Sequence, residues 1–146
     1  MSQYFDVGNE TLWNPSNGAS RMFQRQVPVF EAELELPSGI GSMENEECQI
    51  DPAVFGAFAN ALLAQHRRTS HAIVLALSEG FTATVLVLAE RAGIKPDWAR
   101  LGGSPQAPLE DVQASTVAGM SAPPEGGAWG AGLREKAEEL GRRMPR

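Results

Sequence analysis

Apolar residues recur at helical intervals over most of the first 93 positions. The clearest stripe begins at Phe55 and continues through Phe58, Leu62, Ile73, Leu77, Phe81, Val85, Leu88 and Ala92. Steps of 3.6 residues from Phe55 land within about one residue of every member. Asp51-Pro52 opens the stripe with an N-cap aspartate and a proline at the first helical position, and Gly93 closes it as a C′ glycine. The phase survives a polar patch, His66-Arg67-Arg68-Thr69-Ser70-His71, which holds neither Gly nor Pro. The span predicts one of two things. A continuous helix would be about 63 Å long. Two helices broken near Thr69-Ser70, with Ser70 as a cap, would fold into a hairpin.

An earlier segment places Ala19, Met22, Phe23, Val27, Phe30 and Leu34 at spacings of three and four, which predicts another helix. Asn14-Pro15 and Ser16-Asn17-Gly18 supply turn and capping chemistry before it. Pro28 predicts a kink or a break, and Pro37, Gly39 and Gly41 an end. Residues 1–14 hold only a short apolar and aromatic stretch (Tyr4, Phe5, Val7, Leu12, Trp13), and residues 42–50 read as a polar, acidic segment. The expected fold class is all-α, a small helical hairpin or bundle.

After Gly93 the composition changes. Between Ile94 and Gly132, 7 glycines and 5 prolines occupy 39 positions, a density that reads as flexible. The expected organisation is a helical domain over 1–98 and a Gly/Pro-rich tail over 99–146, with a short helix at 131–143. Leu133, Ala137, Leu140 and Met144 make that helix one-sided, the pattern of a helix that docks in a groove. About 13 residues are only marginally helical alone, so it is expected to order on contact, and truncation after Trp98 to leave a folded core. Trp98 reads as a cover for the core and Trp129 as a docking anchor.

Val74, Leu75, Leu86 and Val87 lie off the main stripe and make segment 81–89 apolar nearly all round. Two or three helices cannot cover every face of such a segment. Self-association is the expected remedy, with Phe81, Val85, Leu86 and Leu88 as the candidate interface.

The 146 residues are 42% hydrophobic and 21% charged, the make-up of one soluble folded domain. Against 12 Lys+Arg stand 18 Asp+Glu, a net charge of -6, which argues against non-specific nucleic-acid binding. A lone cysteine, Cys48, excludes an intrachain disulfide and a cysteine-rich zinc site. The longest apolar run, Ala72 to Leu77, is shorter than the roughly 20 residues a bilayer span needs. Asp6 and Glu10 near the start do not suit a secretory signal. A cytoplasmic protein without a membrane association is expected.

Candidate chemistry is sparse. His66 and His71, five residues apart, would point about 140° from one another on a helix and cannot share a metal as an i, i+4 pair does. Glu44, Glu46, Glu47 and Asp51 form an acidic cluster that lacks the glycine of a calcium loop and suits the positive end of the following helix. Cys48 has acidic neighbours rather than cations, so a thiolate nucleophile is not expected. Arg67 and Arg68, with Arg21 or Arg25, could form a small cationic patch, or simply a solvated helix face. Neither a phosphate loop, nor a nucleophile elbow, nor a dinucleotide-binding glycine pattern occurs. No catalytic residue, cofactor or metal is expected.

Three stretches carry a resemblance: Leu12-Trp13-Asn14-Pro15-Ser16-Asn17-Gly18, then Glu47-Cys48-Gln49-Ile50-Asp51-Pro52, then Thr69-Ser70-His71-Ala72 leading into Glu79-Gly80-Phe81-Thr82-Ala83-Thr84-Val85-Leu86. Together, over about residues 1–98, they resemble an uncharacterised family of small actinobacterial proteins, a domain of unknown function. Ten arginines to two lysines agree with a GC-rich genome. The resemblance implies a genuine domain and lends no activity.

The leading expectation is a non-enzymatic interaction or accessory protein that self-associates and binds a protein partner through its tail. The alternative is a small-molecule binder of the sequestering or resistance kind, with an aromatic interhelical pocket of Trp13, Phe55, Phe58 and Phe81. An enzyme built on His66 or His71 with a nearby carboxylate is the third reading.

Overall fold

The N-terminal apolar stretch is a β-hairpin. Strands β1 (Tyr4–Val7) and β2 (Glu10–Trp13) run antiparallel. Gly8, at a φ of 60°, sits first in the two-residue turn between them, where the strands' twist favours glycine. A third strand, β3 (Glu47–Gln49), lies parallel to β1 on its other edge, pairing Tyr4 with Glu47, Phe5 with Cys48 and Asp6 with Gln49. The order is β2-β1-β3. The computed structural model describes residues 2–96 and 130–146, together with the backbone but not the side chains of Ala128 and Trp129.

The all-α expectation is therefore corrected to an α/β fold, in which a mixed three-stranded sheet packs with four helices among the described residues. A helical bundle describes only part of it. Strands of three and four residues leave little room for a period of two to register. In β3 only Cys48 faces inward, between exposed Glu47 and Gln49. Phe5, Leu12 and Cys48 are fully buried, so the sheet is part of the core.

Helix α1 (Asn17–Leu34) begins at Ser16, whose Oγ accepts from the Ala19 amide at 3.3 Å. It runs unbroken through Pro28, which is exposed, so water can reach the carbonyl that proline leaves without a donor. Its end lies earlier than Pro37, at Glu35, which adopts a φ of 53°.

The stripe of residues 51–93 resolves into two helices, α2 (Pro52–Arg68) and α3 (Ala72–Arg91). Asp51 caps α2 as its sequence indicates, its Oδ1 accepting from Ala53 at 3.0 Å and Val54 at 3.2 Å. The break needs no glycine or proline because Thr69 turns extended and its Oγ1 accepts from the His71 amide at 3.3 Å, competing with helical bonding. His71, not Ser70, holds the N-cap position of α3, without a side-chain cap bond. At the other end Gly93, at a φ of 77°, lets the Ile94 amide reach back to Ala89 at 2.8 Å.

Helix α4 (Ala128–Arg143) packs along α3. Leu133 is buried with Leu63, Ala83 and Leu86, while Ala137 and Leu140 pack beside them. The one-sided C-terminal stripe thus finds its groove on this chain's own α3. Residues Phe81–Ala89, apolar nearly all round, are buried against α2, α4 and the aromatic core except at Thr84. By length and composition α3 could cross a membrane, with a mean hydropathy of 2.0, but that property also follows from this central position. Trp98 and residues 99–127 lie outside the described residues.

Candidate functional site

Among the described residues six aromatic contacts run through the core and reach the surface between α1, α3 and α4. Phe5 stacks on Trp13 with centroids 5.2 Å apart, and Trp13 meets Phe23 edge-on at 5.5 Å. Phe23 and Phe30 stack on Phe81 at 5.3 and 4.2 Å. Phe5 closes on Phe23 at 5.5 Å and Phe58 on Phe81 at 6.4 Å, both edge-on. The helical period puts Phe23 and Phe81 on the facing sides of α1 and α3. Bulky rings at that seam leave an open groove above them.

The groove has a volume of about 400 Å³. Trp13, Phe23 and Phe81 form its floor, Met22 and Leu77 its rims, and Leu140 and Met144 of the C-terminal segment its end wall. Lys136 is the one charged side chain in the lining, and it makes no ion pair or hydrogen bond among the described residues. Four large apolar side chains lie open on this side: Met22 is 67%, Val29 56%, Ile73 61% and Leu77 76% exposed. Val29 lies two turns from Met22 on α1 and Ile73 one turn from Leu77 on α3, so each prolongs its rim beyond the groove, with Arg25 and Gln26 between the two on α1.

Of the residues expected to line a ligand pocket, Trp13 and Phe81 do reach this groove. Phe58 touches Phe81 from behind, and Phe55 is fully buried in the core. The residues expected at an interface, Phe81, Val85, Leu86 and Leu88, are all buried within the chain itself. Sequence reasoning missed Phe23, Met22 and Leu77 as site residues. Met22 and Leu77 sit on helical stripes, which predicts core positions for them, and only the relative placement of α1 and α3 turns them outward.

The titratable candidates are scattered. His66 is half-buried near the end of α2, where burial pushes its pKa below the ordinary value and the charge of Glu79 offsets part of that. His71 is exposed at the start of α3. Cys48 is sealed in the sheet, its Sγ donating to the Gly41 carbonyl at 3.2 Å, and burial pushes its pKa up to about 11, against an ordinary 9.0. Nearby Asp6 adds to that rise. Glu44 accepts from Ser42 at 3.2 Å, and Asp51 is spent on capping α2. Arg67 and Arg68 end α2, where they complement its dipole. Among the described residues no three His, Cys, Asp or Glu side chains gather as a metal would need.

Comparison with known proteins matches residues 1–146 to a family described as "Family of unknown function (DUF6086)". The match extends beyond the 1–98 over which the sequence resemblance was drawn and takes in α4. No curated protein matches the chain, and no solved structure does.

Proposed function

The chain belongs to the DUF6086 family, and from its geometry we propose a non-enzymatic interaction protein that self-associates through the apolar face of α1 and α3. The observation that carries this reading is the exposure of Met22 and Leu77 on the rims of one aromatic-floored groove, with Val29 and Ile73 exposed beyond them on the same two helices. Large apolar side chains grouped on one surface mark interaction sites more often than singly scattered ones do. A second copy of the chain is the occupant that fits. Among the described residues the groove lining holds no carboxylate, so on a chain of net charge -6 another copy meets little local repulsion there. A two-fold interface also needs only one self-complementary patch.

Sedimentation equilibrium at micromolar concentration tests the reading. The intact protein is expected to form a dimer or larger species, and Leu77→Asp, at an exposed position, to return it to a folded monomer. A clean 15.7 kDa species for the intact chain would remove the proposal.

A second reading rests on Lys136. An apolar groove with one unpaired cation in its wall also suits a small amphiphile with an anionic head, the sequestering role named above. Decanoate titrated into the intact protein separates the two readings, because the second requires saturable binding that Lys136→Gln weakens. The ten arginines to two lysines further support an actinobacterial source for this member.

A further inference from the structure

A different cleft, of about 430 Å³, lies between the outer side of α1 and the segments that flank β1 and β3. Asn17, Arg21 and Arg25 line one wall at four-residue intervals, so their side chains rise one above another on a single helix face. Gln24 joins them, held by its Nε2 donating to Ser20 Oγ at 2.7 Å. Gln3 and Met43 form the opposite wall.

Apart from Gln24, the long polar side chains of this cleft are uncommitted among the described residues. Arg21 and Arg25 take part in no ion pair or hydrogen bond among the described residues, and neither end of the Gln3 amide does, although its Oε1 is buried. The chain carries six more acidic than basic side chains, yet among the described residues no carboxylate lines this cleft. Two like charges four residues apart on a helix repel one another, and the first turn of α1 holds no acidic residue to offset them. The positive end of the helix dipole adds to the same field. A wall of two guanidiniums faced by an amide that can turn its NH2 inward is the donor set that planar, forked hydrogen bonding to an oxyanion uses.

We propose that this cleft binds a small multivalent oxyanion, a phosphoryl or polycarboxylate compound, held by Arg21 and Arg25 together and oriented by Gln3 and Asn17. The cleft is large enough for such an anion with an organic substituent. It is separate from the apolar groove and does not depend on self-association.

Isothermal titration of the full chain with pyrophosphate and with citrate, at constant ionic strength set by sodium chloride, is the test. Saturable binding with one site per chain is expected for at least one of them, and the arm that binds identifies the ligand as phosphoryl or carboxylate. Arg21→Gln with Arg25→Gln is expected to weaken binding by about tenfold or more, since both charge-assisted contacts are lost. Both positions are exposed, and the melting temperature is expected to hold. Arg142→Gln with Arg143→Gln removes the same charge from α4 and is expected to leave binding unchanged. Failure of both anions to bind, or equal loss in the two double variants, overturns the proposal.

Discussion

The guanidinium of Arg91 donates to the backbone carbonyl of Leu12 at 2.7 Å, joining the last turn of α3 to the end of β2 across 79 positions of sequence. Its other nitrogen donates to the carbonyls of Gly141 and Met144, both at 2.9 Å. One side chain thus satisfies the end of a strand and the C-terminal carbonyls of α4. A cation is favoured there by the helix dipole as well as by the hydrogen bonds. The Asn14 amide donates to the Pro145 carbonyl at 2.8 Å beside this junction, and Arg146 pairs with Glu10 of β2 at 3.4 Å, so the C-terminal segment is tied to the hairpin directly as well as through Arg91.

Arg91→Met should therefore act on the C-terminal segment first. Three carbonyls lose a charged donor, and a loss of about 2–4 kcal/mol is expected, since such bonds contribute individually but not additively. Amide hydrogen exchange should rise over residues 137–146 before it rises over α2. Uniform acceleration across the chain would show that Arg91 has no special hold on α4.

Gly39 and Gly93 share a φ of 77° but differ in surroundings. A Cβ on Gly39 would lie 2.9 Å from both the Asp51 carbonyl oxygen and the Phe55 nitrogen, which are backbone atoms that cannot swing away. A Cβ on Gly93 meets nothing within 4 Å. Gly93→Ala should cost about 1–2 kcal/mol, the left-handed penalty alone. Gly39→Ala should cost about 1–3 kcal/mol more, from overpacking against the start of α2. Equal midpoints in urea for the two variants would refute this account.

These residues show what the sequence made legible. Asp51-Pro52 and Gly93 are local devices, acting within four residues of themselves, and each marks its helix end as read. The hairpin also had a local sign, Gly8-Asn9 between alternating residues, which the shortness of its strands obscured. β3 had none. Cys48 is paired because Phe5, 43 positions away, presents an open edge, and only the folded chain shows that. The groove is a relation between α1 and α3, so helical periodicity could name Phe81 but could not turn Leu77 outward.

Cys48 should be slow to react. With its pKa near 11 rather than 9.0, its thiolate fraction at pH 8 falls about 100-fold below that of an ordinary thiol, before burial restricts access. Labelling by a chromogenic disulfide reagent should be at least that much slower in the native protein than in urea. The raised value also has a consequence for stability. The unfolded thiol ionises first, so the stability that the neutral thiol maintains below about pH 9 is lost as pH rises from 9.0 towards 11. Replacement by Ser would remove this alkaline decline. Rapid labelling of the native protein at pH 8 would contradict the sealed sheet.

Removal of the C-terminal helix is the most demanding test of the architecture. Read as sequence, the Leu133–Met144 stripe could wait for a partner, and truncation after Trp98 would leave the core intact. The packing predicts the opposite. Leu133 and Met144 are buried against α3 and the aromatic core, and the buried side chains of Ala83, Leu86 and Val87 depend on α4 for part of their cover. Burial of one such large side chain contributes roughly 2 kcal/mol, so exposing several removes an amount comparable with the 5–15 kcal/mol that holds a whole domain together. Arg91 loses two of its three acceptors in the same step. A chain ending at residue 127 should therefore lose its cooperative melt and its near-ultraviolet signal from the aromatic cluster, while keeping much of its helical signal. A peptide of residues 128–146 added in excess should restore the melt, because the groove on α3 is its own. A truncated chain that melts within a few degrees of the intact one would place α4 outside the fold.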